Sequence, residues 1–117
     1  MKDILRNIPK AEVLQLGNLV AYADGQVVSK TLVQNDGVGI TRFAFAKDEG
    51  ISTHESKGDA MVVALDGKGR ITIDGKDYEL SAGDSIVMPA NHPHAVYGIE
   101  PFKMMLVVAF PEMDAKA

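Results

Sequence analysis

Asp66-Gly67-Lys68-Gly69-Arg70-Ile71-Thr72-Ile73-Asp74-Gly75-Lys76-Asp77-Tyr78-Glu79-Leu80-Ser81 reads as strand, turn and strand. Arg70 to Ile73 alternates polar and apolar residues, the period of a strand with one buried face. Asp74-Gly75 is a two-residue hairpin signal, because both central positions of such a turn take positive φ and these residues tolerate it. Lys76 to Leu80 then carries the chain back. Outward from this hairpin the same signals recur. Val27 to Gln34 is rich in β-branched residues and stops at Asn35-Asp36-Gly37, and Gly39 to Ala46 alternates. Ala60 to Leu65 is apolar throughout, as expected of a strand buried on both faces. Ser85 to Met88 and His94 to Tyr97 flank the Pro89 to Pro93 loop, and Phe102 to Phe110 is a long apolar strand that Pro111 stops. Only the N-terminus reads as helix: Ile4, Leu5 and Ile8 share a face, Asp3 can cap it, and Pro9 limits it to a turn or two. Met113 to Ala117 is expected to fray. About eight to ten short strands at regular spacing predict an all-β sandwich or barrel with a short N-terminal helical turn.

Composition narrows the function classes. The 117 residues show no internal repeat and no linker, so residues 1–117 are expected to form one domain. Hydrophobic residues at 46% and charged residues at 24% suit a packed core. A net charge of −4 without a basic cluster argues against nucleic acid as a partner. The absence of cysteine excludes disulfides, thiolate metal sites and cysteine nucleophiles. Lys2, Asp3 and Arg6 interrupt the apolar residues before Pro9, so no secretory signal is expected there. No apolar run approaches the roughly 20 residues of a membrane helix, and a soluble, cytoplasmic protein is expected. Nucleophile elbows, phosphate loops and dinucleotide fingerprints are all missing from the chain.

The three histidines fall in two segments, Gly50-Ile51-Ser52-Thr53-His54-Glu55-Ser56 and Pro89-Ala90-Asn91-His92-Pro93-His94. With strands on either side of each, the two segments are expected to converge on one spot in a barrel. These residues, with Gly67 and Gly83, give the chain a resemblance to the cupin superfamily. Gly50, His54 and Gly67 fit that family's first motif, and Gly83, Pro89 and His94 fit its second. Asn91 stands where the family has glycine and is the residue next most able to adopt a left-handed conformation. The resemblance implies a double-stranded β-helix (jelly-roll) barrel with its core at about residues 38–110, residues 1–37 adding the N-terminal turn and extra strands. It also implies a homodimer, and the wholly apolar Ala60 to Leu65 is a strand that something should cover.

The family's metal shell is incomplete in this sequence. His54 and His94 occupy two ligand positions, Ser56 replaces a histidine, and Ala60 stands where a glutamate belongs. Strand parity places His54, Ser56, Gly58 and Ala60 on one face and sends Glu55 and Asp59 to the other, unless a bulge near Gly58 turns Asp59 inward. His92 lies two residues from His94, so an extended backbone through Pro93 would send both to the same side. It is also a loop residue that could face solvent at the rim. Beside a structural or assembly role with no ligand, two readings therefore stand. One is a small-molecule-binding protein whose barrel interior is lined by His54, Ser56, Ala60, Val62, His94 and Val96, with the metal site reduced or absent. There the two histidines hydrogen-bond each other or a water. The other is a metal-dependent enzyme holding Zn, Ni, Mn or Fe on His54 and His94, with His92 or Asp59 as the third ligand. By resemblance it would be a dioxygenase, isomerase or lyase acting on a small carbonyl or phenolic compound. The sequence leaves open whether the chain is an enzyme.

Overall fold

The computed structural model describes residues 3–112. Seven strands follow one short 3-10 turn, Leu16–Leu19: β1 (Val27–Gln34), β2 (Val38–Phe45), β3 (Gly50–His54), β4 (Asp59–Ile73), β5 (Lys76–Ser81), β6 (Ser85–Met88) and β7 (His94–Ala109). All pair antiparallel. Two long strands organise the rest. The first half of β4 and the second half of β7 lie side by side between β2 and β6, and β1 extends that layer. Their other halves lie between β3 and β5. The result is a jelly-roll barrel of a five-stranded and a four-stranded layer sharing β4 and β7.

This architecture explains why fewer strands form than the sequence suggests. Gly67-Lys68-Gly69 reads as a turn between two strands, yet β4 runs through it with its pairing to β7 shifted on either side. Gly67, at φ +74, makes the bend, and a Cβ there would sit 1.7 Å from the Pro101 carbonyl oxygen. On the facing strand the β4–β7 register skips from Gly98 to Phe102, so Pro101 falls in a gap where its missing N–H costs no ladder bond. A bend at a glycine keeps one strand continuous where local chemistry alone predicts a break.

The hairpin that opened the chain's reading forms at Asp74-Gly75, with φ of +52 and +79. Inward-facing residues of both layers meet between them. Phe45, Val62, Ile71, Phe102 and Met104 are completely buried, and Phe45 stacks on Phe102 at 6.0 Å between ring centres. Two expectations are corrected. Ala60 to Leu65 is not buried on both faces: Ala60, Val62 and Ala64 are, but Met61 is 40% exposed. No helical turn forms at Ile4–Ile8; the helical turn is Leu16–Leu19 instead. Asn7 and Ala11 take positive φ, and the segment is tied to the β1 edge by Arg6 N–H to Leu32 O (2.7 Å) and Asn7 Nδ2 to Thr31 O (2.8 Å). Those tertiary bonds outweigh a weak local preference for helix. Met113 to Ala117, expected to fray, lies outside the described residues. Among the described residues no helix is long and apolar enough to cross a membrane.

Candidate functional site

One end of the four-stranded layer carries the histidines. His94 opens β7 and pairs in register with Ile73 of β4 on one side and His54 of β3 on the other. Its face is set by β7, where His94, Val96 and Gly98 alternate inward and are buried. His54 reaches the same face through a bulge. Between Ile51 and His54, β3 has two residues where β7 has only Ala95 between Val96 and His94. The extra residue restores an inward direction to His54 that simple alternation from Ile51 would deny it. Asn91, at φ +64, turns the preceding loop, and its N–H donates to Ser56 O at 2.7 Å. Asp74 N–H fixes the same loop at Pro93 O (3.0 Å).

The two rings meet edge to face, 4.3 Å between centres, with Nε2 of His54 3.1 Å from Nε2 of His94. Each ring is anchored identically: Nδ1 of His54 lies 2.9 Å from Ser52 O, and Nδ1 of His94 lies 3.1 Å from His92 O. A carbonyl oxygen only accepts, so each Nδ1 carries the hydrogen, and each neutral ring points a bare Nε2 lone pair at the other. Two lone pairs at that distance repel unless a positive charge lies between them. A proton is poorly placed to supply it on His94, whose pKa is pushed below the usual 6.5 by burial first and by His54 second. The hydrogen bond from His92 O and the charge of Glu55 oppose that shift without reversing it.

A divalent ion fits this pair. Two nitrogens each about 2.0–2.1 Å from one ion stand about 3 Å apart at a right angle and about 3.4 Å apart at a tetrahedral one. Carbonyls on both Nδ1–H groups are the usual outer partners that hold metal-binding imidazoles in orientation. Among the described residues no group of three or more histidine, cysteine or acidic side chains is placed to hold a metal. Asp59 faces away, its Oδ1 accepting the Ala90 N–H at 2.9 Å. His92 stands at the rim, half exposed, with Nδ1 2.7 Å from Asp74 Oδ2. Ser56 accepts the Gly58 N–H on its hydroxyl (3.2 Å) and so closes the local turn. Ala60, Val62 and Val96, expected to line a pocket, are 4% exposed or less within the core cluster, packed by Phe45, Ile71 and Met88. The histidine pair therefore lies at the mouth of the barrel, above this cluster.

The cupin domain family matches residues 41–110 of the chain. The chain is a cupin. A conserved protein of unknown function from Streptococcus pyogenes is 46% identical, with a TM-score of 0.92, covering 96% of this chain and 98% of its own. A cupin superfamily protein from Desulfitobacterium hafniense is 34% identical, with a TM-score of 0.87, over 92% and 98% of the two chains. A cupin 2 conserved barrel domain protein from Leptotrichia buccalis is 41% identical, with a TM-score of 0.80, over 82% of this chain and 47% of that one. No curated protein matches. Within this cupin, sequence reasoning treated Asp74 only as a turn residue and missed it as the partner of His92. Nothing in local sequence signals it, because the contact joins the hairpin tip to a loop 18 residues away. Arg42 was also missed. Alternation puts it on the outer face of β2, where a charge is ordinary, yet it is completely buried.

Proposed function

We propose that this cupin binds a small molecule at the mouth of its barrel through a divalent ion seated on His54 and His94. The observation that carries the reading is the facing of two Nε2 lone pairs at 3.1 Å with both Nδ1 atoms committed to carbonyls. Two protein nitrogens leave most of the ion's coordination positions to the ligand and water. The ligand class that suits such a site is a small anion with two oxygens to offer, a carboxylate or an enolate. The reduced metal site is the feature that favours binding: fewer protein ligands hold the ion more weakly on their own, so ion and ligand would bind together.

Binding is favoured over turnover because few protein groups remain to act on a ligand: Asp59 is held by the Ala90 N–H and Asp74 by His92, and Glu55, whose charge reaches His94, is exposed to solvent. The test is thermal unfolding of untagged protein with zinc, nickel, manganese or iron(II), each with and without a panel of small carboxylic and 2-oxo acids. Stabilisation by ion and acid together, exceeding the sum of each alone and absent in His54→Ala, supports the reading. Equal stabilisation by the acid in wild type and His54→Ala would overturn it.

A further inference from the structure

Among the described residues Arg42 is the one arginine, lysine or acidic side chain that is fully buried, and the histidine site makes no use of it. It stands on the outer face of the five-stranded layer, in the row Lys30–Arg42–Met105–Val63, with the N-terminal segment crossing above it. Nη2 of Arg42 donates to Asn7 O, but among the described residues Nε and Nη1 have no acceptor, and both are closed off from water. No carboxylate answers the charge: the ion pairs among the described residues are Lys10–Asp3 and His92–Asp74. A buried charge without a counter-ion, and donors without acceptors, weigh against the arrangement that buries them. The segment responsible is held unevenly. Its rear is clamped: Val20 is buried, Lys103 Nζ donates to Gly17 O at 2.7 Å, and the Tyr22 hydroxyl donates to Asp66 at 2.6 Å. Its front, residues 3–13, is exposed apart from the half-buried Ile8. The front is tied to the sheet by Arg6 N–H to Leu32 O, Asn7 Nδ2 to Thr31 O and the Arg42 bond. Ala11 opposes those ties, since a residue with a Cβ is strained at its φ of +57.

We propose that Arg42 is the centre of a second binding site, for a small oxyanion of the phosphate class, which forms when the front of the N-terminal segment lifts from β1. A cleft of about 490 Å³ already opens beside the front ties, between Asp3, Ile4 and Arg6 of the segment and residues 33–35 of the sheet. Asn7, whose carbonyl is the one acceptor Arg42 has, follows Arg6 in the chain, so lifting this stretch joins the cleft to the guanidinium. The anion's class follows from the groups that meet there. The planar guanidinium presents parallel N–H groups that match two oxygens of such an anion. Lys30 is the cross-strand neighbour of Arg42 and Arg6 lines the cleft, whereas Asp3, the one acid lining it, is paired with Lys10 at 3.4 Å. That excess of positive charge favours a doubly charged anion over a single carboxylate. In the lifted form the anion supplies the counter-charge and acceptors that Arg42 lacks in the closed one. The rear clamp stays shut, so the motion is a lift of the front end alone.

Amide hydrogen exchange of the full untagged chain reads the outcome, with inorganic phosphate replacing chloride at constant ionic strength and acetate in a parallel series. Phosphate at about ten times its dissociation constant from the lifted form should speed exchange at the Arg6 amide about tenfold. A ligand bound only by the open form raises the open population in that proportion. The Gly83 amide, which donates to Ala64 O within the barrel, should not respond. Acetate should act more weakly than phosphate. Arg42→Met should keep the Arg6 amide at least as protected as in wild type and lose the phosphate response. Arg70→Met, on the four-stranded layer, should respond as wild type does. So should His54→Ala, which separates this site from the histidine pair. The wild-type titration decides without any variant: exchange at Arg6 that ignores phosphate, or that acetate speeds equally, would overturn the proposal. An equal phosphate response in Arg42→Met would overturn it as well.

Discussion

One histidine–aspartate pair and one histidine–histidine pair lie at the barrel mouth, and their chemistry is opposite. His92 and Asp74 join a donor to an acceptor at 2.7 Å at the rim, and both side chains are about half exposed. His54 and His94 join two acceptors at 3.1 Å, with His94 buried. The first pair is satisfied as it stands. The second needs something positive between its nitrogens. His92 and His94 are two residues apart, so composition and sequence distance say nothing of this difference. What separates them is the acceptor behind each Nδ1: His94 spends its hydrogen on a backbone carbonyl, whereas His92 spends it on a carboxylate. An outer acceptor on Nδ1–H fixes the tautomer and the ring orientation, and so leaves the Nε2 lone pair free to bind a metal.

The contrast is broken most severely by removing one member of the inner pair. With a divalent ion at about one hundred times its dissociation constant, wild type should gain about 2.7 kcal/mol of stability, a rise in Tm on the order of 10 °C. His54→Ala and His94→Ala should gain none of it in the same melts. A subtler break moves the strand and leaves the ring in place. A Cβ on Gly50 would lie 2.2 Å from Val96 O, so Gly50→Ala must push β3 off β7. It should cost about 1–3 kcal/mol in denaturant unfolding and weaken ion binding, although no ligand is changed.

Acid sharpens the difference further. Burial and His54 hold His94 below its ordinary pKa, so the fold favours the neutral ring. A group depressed in this way contributes stability that is complete above about pH 6.5, the unfolded value, and is lost as pH falls through the lower folded value. In metal-free protein the stability of wild type should therefore decline with acid across that window, and His94→Gln should flatten that part of the profile. The smallest effect belongs to the rim. His92→Ala or Asp74→Asn removes an exposed pair worth at most about 1 kcal/mol, and should leave ion-dependent stabilisation intact.

Much of the fold was legible because local chemistry and tertiary structure agree there. The Asp74-Gly75 hairpin, β1 ending at Gln34, and the left-handed Asn91 all follow from turn chemistry that operates within a few residues. The bends in β4 and β7 were not legible, since a glycine that breaks a strand and one that bends it look alike until the partner strand is known. The N-terminal segment shows the same limit. Its apolar spacing suits a helical turn, but hydrogen bonds to Leu32 and Thr31 decide its path. In the candidate site, motif spacing brings attention to His54 and His94, and parity turns Asp59 outward. The bulge at Ser52–Thr53, the Nδ1 anchors and the Asp74 contact of His92 depend on distances that no residue pattern encodes.

Metal analysis of untagged protein tests the central claim most directly. Equilibrated with excess ion and a small 2-oxo acid and then freed of unbound ion, wild type and His92→Ala are expected to hold about one divalent ion per chain, with loss of that ion in His54→Ala and in His94→Ala. Sub-stoichiometric metal that is the same in wild type and in both of those variants would contradict it.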